Sequence, residues 1–83
     1  MPYFVYIIES FKDGSYYVGS TQNLNDRIAR HNQGRSKYTK TKRPWNLIYS
    51  EEHPDRSSAV RREEQIKRRK SKDFIETLVR TSR

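Results

Sequence analysis

The chain opens with two short runs of aromatic and β-branched residues, Tyr3 to Glu9 and Tyr16 to Ser20, on either side of a polar stretch that ends in Asp13-Gly14. Such residues suit a pleated, half-buried surface, and Asp-Gly is a turn signal. The pattern predicts a β-hairpin with strands over 3–9 and 15–20. On the period-two rule, Tyr17 and Gly19 share one strand face, and Tyr16 and Val18 share the other.

Beyond the hairpin the period changes. Residues 23–33 read as a helix, capped by Thr21 or Asn23, with Asp26 early where the macrodipole favours negative charge. Gly34 is a stop signal. Leu24 and Ile28 form the apolar stripe, and Arg27 and His31 lie on its flank. Residues 35–43 form an irregular segment with five cations and no acid. Trp45 to Ser50 resumes a strand pattern, predicted over 46–51, before Pro54. Ser57 or Ser58 is placed to cap a helix over 57–70. Ser71 is placed to cap another over 72–80, with Phe74, Ile75, Leu78 and Val79 on its apolar face. The expectation is an α/β architecture of the α+β type: one domain over 1–83, with a small, mainly antiparallel three-stranded sheet and packed helices.

Composition narrows the function. Eighty-three residues suffice for one small core. The apolar residues are clustered, which argues against general disorder. Cysteine is absent, which excludes disulfides and Cys-ligated zinc. The longest apolar run, Phe4 to Ile8, is far short of a membrane span, and the start of the chain lacks the build of a signal peptide. A soluble, cytoplasmic protein without a membrane partner is expected. The net charge of +8 favours a polyanionic partner, nucleic acid ahead of an anionic membrane surface.

Glu63 is the most informative single residue. With Ala59 at zero on a helical wheel, Ile66 falls at about 340° and Glu63 at about 40°, inside the buried stripe, whereas Glu64 falls at about 140°. A buried carboxylate needs a partner. A divalent metal ion is one candidate, and an internal salt bridge to Arg27 or a lysine is the other. Two basic clusters offer non-specific phosphate contacts. One holds Arg35, Lys37, Lys40, Lys42 and Arg43, with Tyr38 among them as a residue that could stack on a base or pack internally. The other holds Lys67, Arg68, Arg69, Lys70 and Lys72.

In this order and spacing the residues resemble the GIY-YIG nuclease superfamily. Phe4-Val5-Tyr6 stands for the first name motif and Tyr17-Val18-Gly19 for the second. The helical arginine is Arg27, the Tyr or His one turn later is His31, and Ala59 followed by Glu63 matches the family's metal-ligand helix. The likeness is nearest to small stand-alone bacterial members, on His31-Asn32, Gly34, Tyr38-Thr39, Pro44, Glu51 and Ile66-Lys67. Phe4 departs from the first glycine of the motif, Ser20 from a lysine common there, and Ile75 from an asparagine found in several active members.

The resemblance implies metal-dependent endonucleolytic hydrolysis of DNA, with one Mg²⁺ or Mn²⁺ at Glu63. The implied catalytic set is Tyr6, Tyr17, Arg27, His31 and Glu63. The expected nucleic-acid contacts are Gly19, Ser20, Arg35, Lys37, Tyr38, Lys40, Lys42, Arg43, Lys67 and Lys70. Physically, a metal at Glu63 would polarise phosphate and Arg27 would bind nonbridging oxygens. His31 suits a general base on pKa grounds, whereas Tyr6 needs a nearby cation for that role; the sequence leaves both open. Gly19, lacking a side chain, would let phosphate approach the backbone. DNA is the expected partner, branched and single-stranded forms included, and a double-strand break would need a second molecule or rebinding. Two other readings stand beside this one. One is a nucleic-acid-binding module without turnover, in which Glu63 makes a salt bridge. The other is a small RNA-associated basic protein.

Overall fold

The computed structural model describes residues 2–35, 37–69 and 71–81. Strand β1, Tyr3–Ser10, is central. Val5 and Ile7 point to one face and Tyr6 and Ile8 to the other, and all four are fully buried. A strand covered on both faces reads as a continuous apolar run rather than an alternation. β2 (Tyr16–Thr21) and β3 (Trp45–His53) flank it in the order β2-β1-β3, and both pairings are antiparallel. The turn between β1 and β2 places Gly14 at φ 75°, where glycine is the low-cost residue. β3 is longer than its apolar pattern, running from Trp45 opposite Ser10 to His53 opposite Tyr3. Its polar end stays in the ladder because Glu51 accepts hydrogen bonds from Tyr49 and Arg62 and contacts His53.

Helix α1 spans Leu24–Asn32, α2 Arg56–Arg69 and α3 Lys72–Thr81, with a short 3₁₀ turn at Lys40–Lys42. Asn23 caps α1, its side chain accepting from the Asp26 amide at 3.1 Å, while Thr21 Oγ1 accepts from the Asn23 amide. Gly34, at φ 79°, closes α1. The Gly34 amide donates to His31 and the Arg35 amide to Arg30, the two bonds of a Schellman motif. Ser71 caps α3 through the Phe74 amide. The cap of α2 is Asp55 rather than Ser57 or Ser58. Its carboxylate accepts from the Ser58 amide at 2.9 Å, so the helix starts one residue earlier than expected. Residue 70, the predicted end of that helix, lies outside the described residues.

The two faces of the sheet carry separate clusters. Val5, Ile7 and Val18 pack against Ala59 and Ile66 of α2 and Ile75 of α3. Tyr6, Ile8 and Trp45 pack with Tyr17 and with Leu24 and Ile28 of α1. α1 and α2 therefore cover opposite faces, and β2 is the edge around which they approach each other. Among the described residues no helix is long and apolar enough to cross a membrane.

Candidate active site

On the α1 face, Tyr6 stands opposite Gly19 across the β1–β2 ladder. A Cβ on Gly19 would lie 2.5 Å from Tyr6 Oη and 2.7 Å from Cζ. The missing side chain therefore makes room for the Tyr6 phenol. The phenol ends 3.0 Å from His31 Nε2, and His31 Nδ1 lies 2.8 Å from Thr39 Oγ1. The Thr39 carbonyl in turn accepts from Trp45 Nε1 at 2.8 Å. Asn32 fixes Trp45 from the other side, its amide group exchanging two hydrogen bonds with the Trp45 backbone as a neighbouring strand would. The Tyr17 ring meets His31 edge-on at 5.1 Å and lies 5.7 Å from Tyr38.

Burial sets the protonation of this chain. It pushes the Tyr6 hydroxyl up to about 12, with Tyr17 adding to the shift and Arg27 opposing it. It also lowers the His31 imidazole, and the Arg27 charge lowers it further. At neutral pH the phenol keeps its proton and the imidazole is neutral. His31, expected on the flank of α1, is the buried residue of that helix at 3% exposure, and both its nitrogens are engaged. In this geometry the Tyr6 phenol and both His31 nitrogens are engaged in one buried hydrogen-bonded chain.

The exposed chemistry gathers at the rim of β2. Arg27 and Glu63, from helices on opposite faces, line one polar cleft of about 510 Å³ together with Tyr3, Ser20, Arg30 and Arg56. Glu63 enters it from the buried stripe of α2, with its side chain 17% exposed. Ser20 Oγ donates to Oε1 at 2.7 Å and Lys67 Nζ to Oε2 at 2.6 Å. The lysine salt bridge weighed from the wheel is thus present, with Lys67 as the partner. That pairing was legible, because Lys67 stands four residues after Glu63 on the same helix.

The donor set bears on which metal fits. Among the described residues no three His, Cys, Asp or Glu side chains gather as a metal cage. Two carboxylates line the cleft, Glu63 and Asp26, the latter paired with Arg30 at 3.4 Å; so few protein oxygens suit Mg²⁺, which keeps several waters and takes its other oxygens from phosphate. Lys67 is half exposed, so its ammonium can return to solvent when another cation takes the Glu63 carboxylate.

The remaining expected residues divide. Ser20 lines the cleft and donates to Glu63. Arg35, Lys37, Lys40 and Tyr38 are exposed. Lys42 reaches Asp13 at 3.7 Å and lies over the Tyr38 ring. Arg43 donates to the Lys40 carbonyl and packs its guanidinium against Gly34, so it has a structural task as well. Lys70 lies outside the described residues. Ile75, which stands where several active members are expected to carry asparagine, is a core residue. Tyr3 and Arg56 of the cleft carried no local signal, and Thr39 entered only through the family likeness, because each acts through a contact distant in sequence.

The chain resembles known proteins over most of its length. The GIY-YIG catalytic domain matches residues 2–76. A UPF0213 protein of Staphylococcus haemolyticus is 50% identical over 66 residues, covering 78% of this chain and 79% of that protein. A UPF0213 protein of Staphylococcus aureus is 44% identical over the same length and shares. The solution structure of the UPF0213 protein BH0048 from Bacillus halodurans superposes with a TM-score of 0.61 at 36% identity, covering 98% of this chain and 85% of that one. With a catalytic-domain match from the first strand into the last helix, and Arg27 and Glu63 sharing one cleft at the sheet edge, the chain belongs to the GIY-YIG nuclease family.

Proposed function

We propose that this protein is an endonuclease that hydrolyses DNA phosphodiesters with one divalent ion, Mg²⁺ or Mn²⁺, held at Glu63. The observation that carries the reading is the meeting of Arg27 and Glu63 in one polar cleft although their helices cover opposite faces of the sheet. When bound, the ion supplies Lewis-acid polarisation of the phosphate and charge for the departing oxygen. Ser20 Oγ orients the Glu63 carboxylate that would receive it. Arg27 donates to the nonbridging oxygens as negative charge builds on them. Tyr6, His31 and Thr39 act as positioning residues, a buried hydrogen-bonded chain that holds the Tyr17 ring and backs Arg27.

The test is a Mg²⁺ titration with nuclease assays on single-stranded, duplex and branched DNA. Glu63→Gln should abolish metal-dependent cleavage with the fold intact. Arg27→Ala should lower turnover by about 10²- to 10³-fold, the usual cost of one transition-state donor, and change DNA affinity little. Cleavage that persists in Glu63→Gln, or that ignores the metal, would overturn the mechanism.

A second reading, a DNA-binding module without turnover, is favoured by one contact, the Lys67 ammonium on Glu63 Oε2. Calorimetry with Mn²⁺ separates the two. Binding that is lost in Glu63→Gln supports the nuclease, and no binding at millimolar metal supports the module.

A further inference from the structure

The edge strand β2 carries a second feature beside the cleft. Toward its start, Tyr16, Tyr17 and Tyr38 wall a groove of about 530 Å³, floored by Val18, Ile66 and Ile75. That volume lies within the range of sites that hold a small molecule. Tyr38 is 59% exposed, and of the exposed large apolar side chains among the described residues it alone lines this groove. The cations are matched to the rings. Lys67 Nζ stands 6.0 Å from the Tyr17 centroid, Lys72 Nζ 5.8 Å from that of Tyr16 and Lys42 Nζ 5.4 Å from that of Tyr38. No carboxylate lines the groove among the described residues. Its link to the cleft is direct, because the same Lys67 ammonium contacts Glu63. Tyr17 and Ser20 are three residues apart on one strand, about 10 Å.

We propose that this groove is a subsite for one unpaired nucleobase of single-stranded DNA, stacked against Tyr38 with the adjoining phosphates held by Lys67 and Lys72. Aromatic faces with lysines at their rims are what a flexible strand needs, because every base has a π-face and every linkage a negative charge. A base inside a duplex has its faces covered by its neighbours and cannot enter. The subsite therefore selects single strands, or frayed and flapped ends, and sets the next phosphate beside Glu63. This rests on the nuclease reading for its purpose but not for its test.

The test is binding without metal. Fluorescence anisotropy with labelled oligothymidylate and with a blunt duplex of equal length is measured in EDTA, for the wild type, Tyr38→Ala and Tyr38→Trp. Tyr38→Ala should weaken the single strand by about 5- to 100-fold, the effect of losing one stacked base, and leave the duplex unchanged. Tyr38→Trp, which keeps a ring, should bind the single strand at least as well as the wild type. Equal losses on both DNAs, no loss on either, or a tryptophan variant as weak as the alanine one would each overturn the subsite. Since nothing is cleaved, a positive result together with inactive protein retains the subsite and removes only the nuclease reading. Active protein with an unchanged Tyr38→Ala affinity does the reverse.

Discussion

The Tyr6 phenol occupies the space in which a side chain on Gly19 would stand. These two residues face each other across the β1–β2 ladder, and the glycine is what allows the phenol to lie flat and reach His31. The regular spacing of a strand pair is thus used to sink a polar aromatic group beneath an edge strand.

Gly19→Ala tests this relationship. The added methyl would meet the ring of a fully buried residue, not the end of a flexible chain, and overpacking of that kind costs about 1–3 kcal/mol. Urea denaturation should show the loss. Pairing Gly19→Ala with a smaller residue at position 6, Tyr6→Leu, should recover part of it, giving a double-mutant cycle with a clear coupling. Additive losses would place the strain elsewhere.

The buried imidazole gives a pH signature. His31 is held below the usual histidine range by burial and by Arg27. The folded protein therefore binds this proton less readily than the unfolded chain, so the contribution is intact above about pH 6.5 and is lost as pH falls through the lowered folded value. Thermal midpoints should decline as the pH drops below about 6.5, before the carboxylates with lowered values, such as Glu51 and Asp55, begin to titrate. In His31→Gln that first decline should vanish. Thr39→Val, which strips Nδ1 of its hydroxyl partner, should cost about 1–3 kcal/mol at pH 7.5. A flat profile between pH 5 and 7 in the wild type would contradict the assignment.

The exposed lysines of the basic segment after α1 should act through charge. Lys37 and Lys40 are exposed, whereas Arg43 also braces the turn at Gly34. Lys37→Gln with Lys40→Gln should weaken DNA of every sequence alike and flatten the plot of log affinity against log salt by about one unit per lost phosphate contact. Arg43→Gln should in addition lower the melting temperature. Unchanged salt slopes in the double variant would show that this segment does not track the phosphates.

Local patterns in the sequence determined the elements and their facing. The hairpin follows from residue types around Asp13-Gly14, and the closure of α1 from Gly34 at positive φ. The caps at Asn23 and Ser71 follow from short side chains that reach back to amides three residues on. The placement of Glu63 in the inner stripe of α2 follows from the 3.6-residue period. Each depends on neighbours within a turn or two of chain. Tertiary structure decided what those faces meet. The order β2-β1-β3 puts β2 at the edge, and an edge lets α1 and α2, on opposite faces, bring Arg27 and Glu63 into one cleft. Only the packed sheet sets the Tyr6 ring over Gly19, and only the folded loop carries Thr39 to His31. Periodicity fixes the direction in which a side chain points, but its partner is settled by strand register and helix packing between residues distant in sequence.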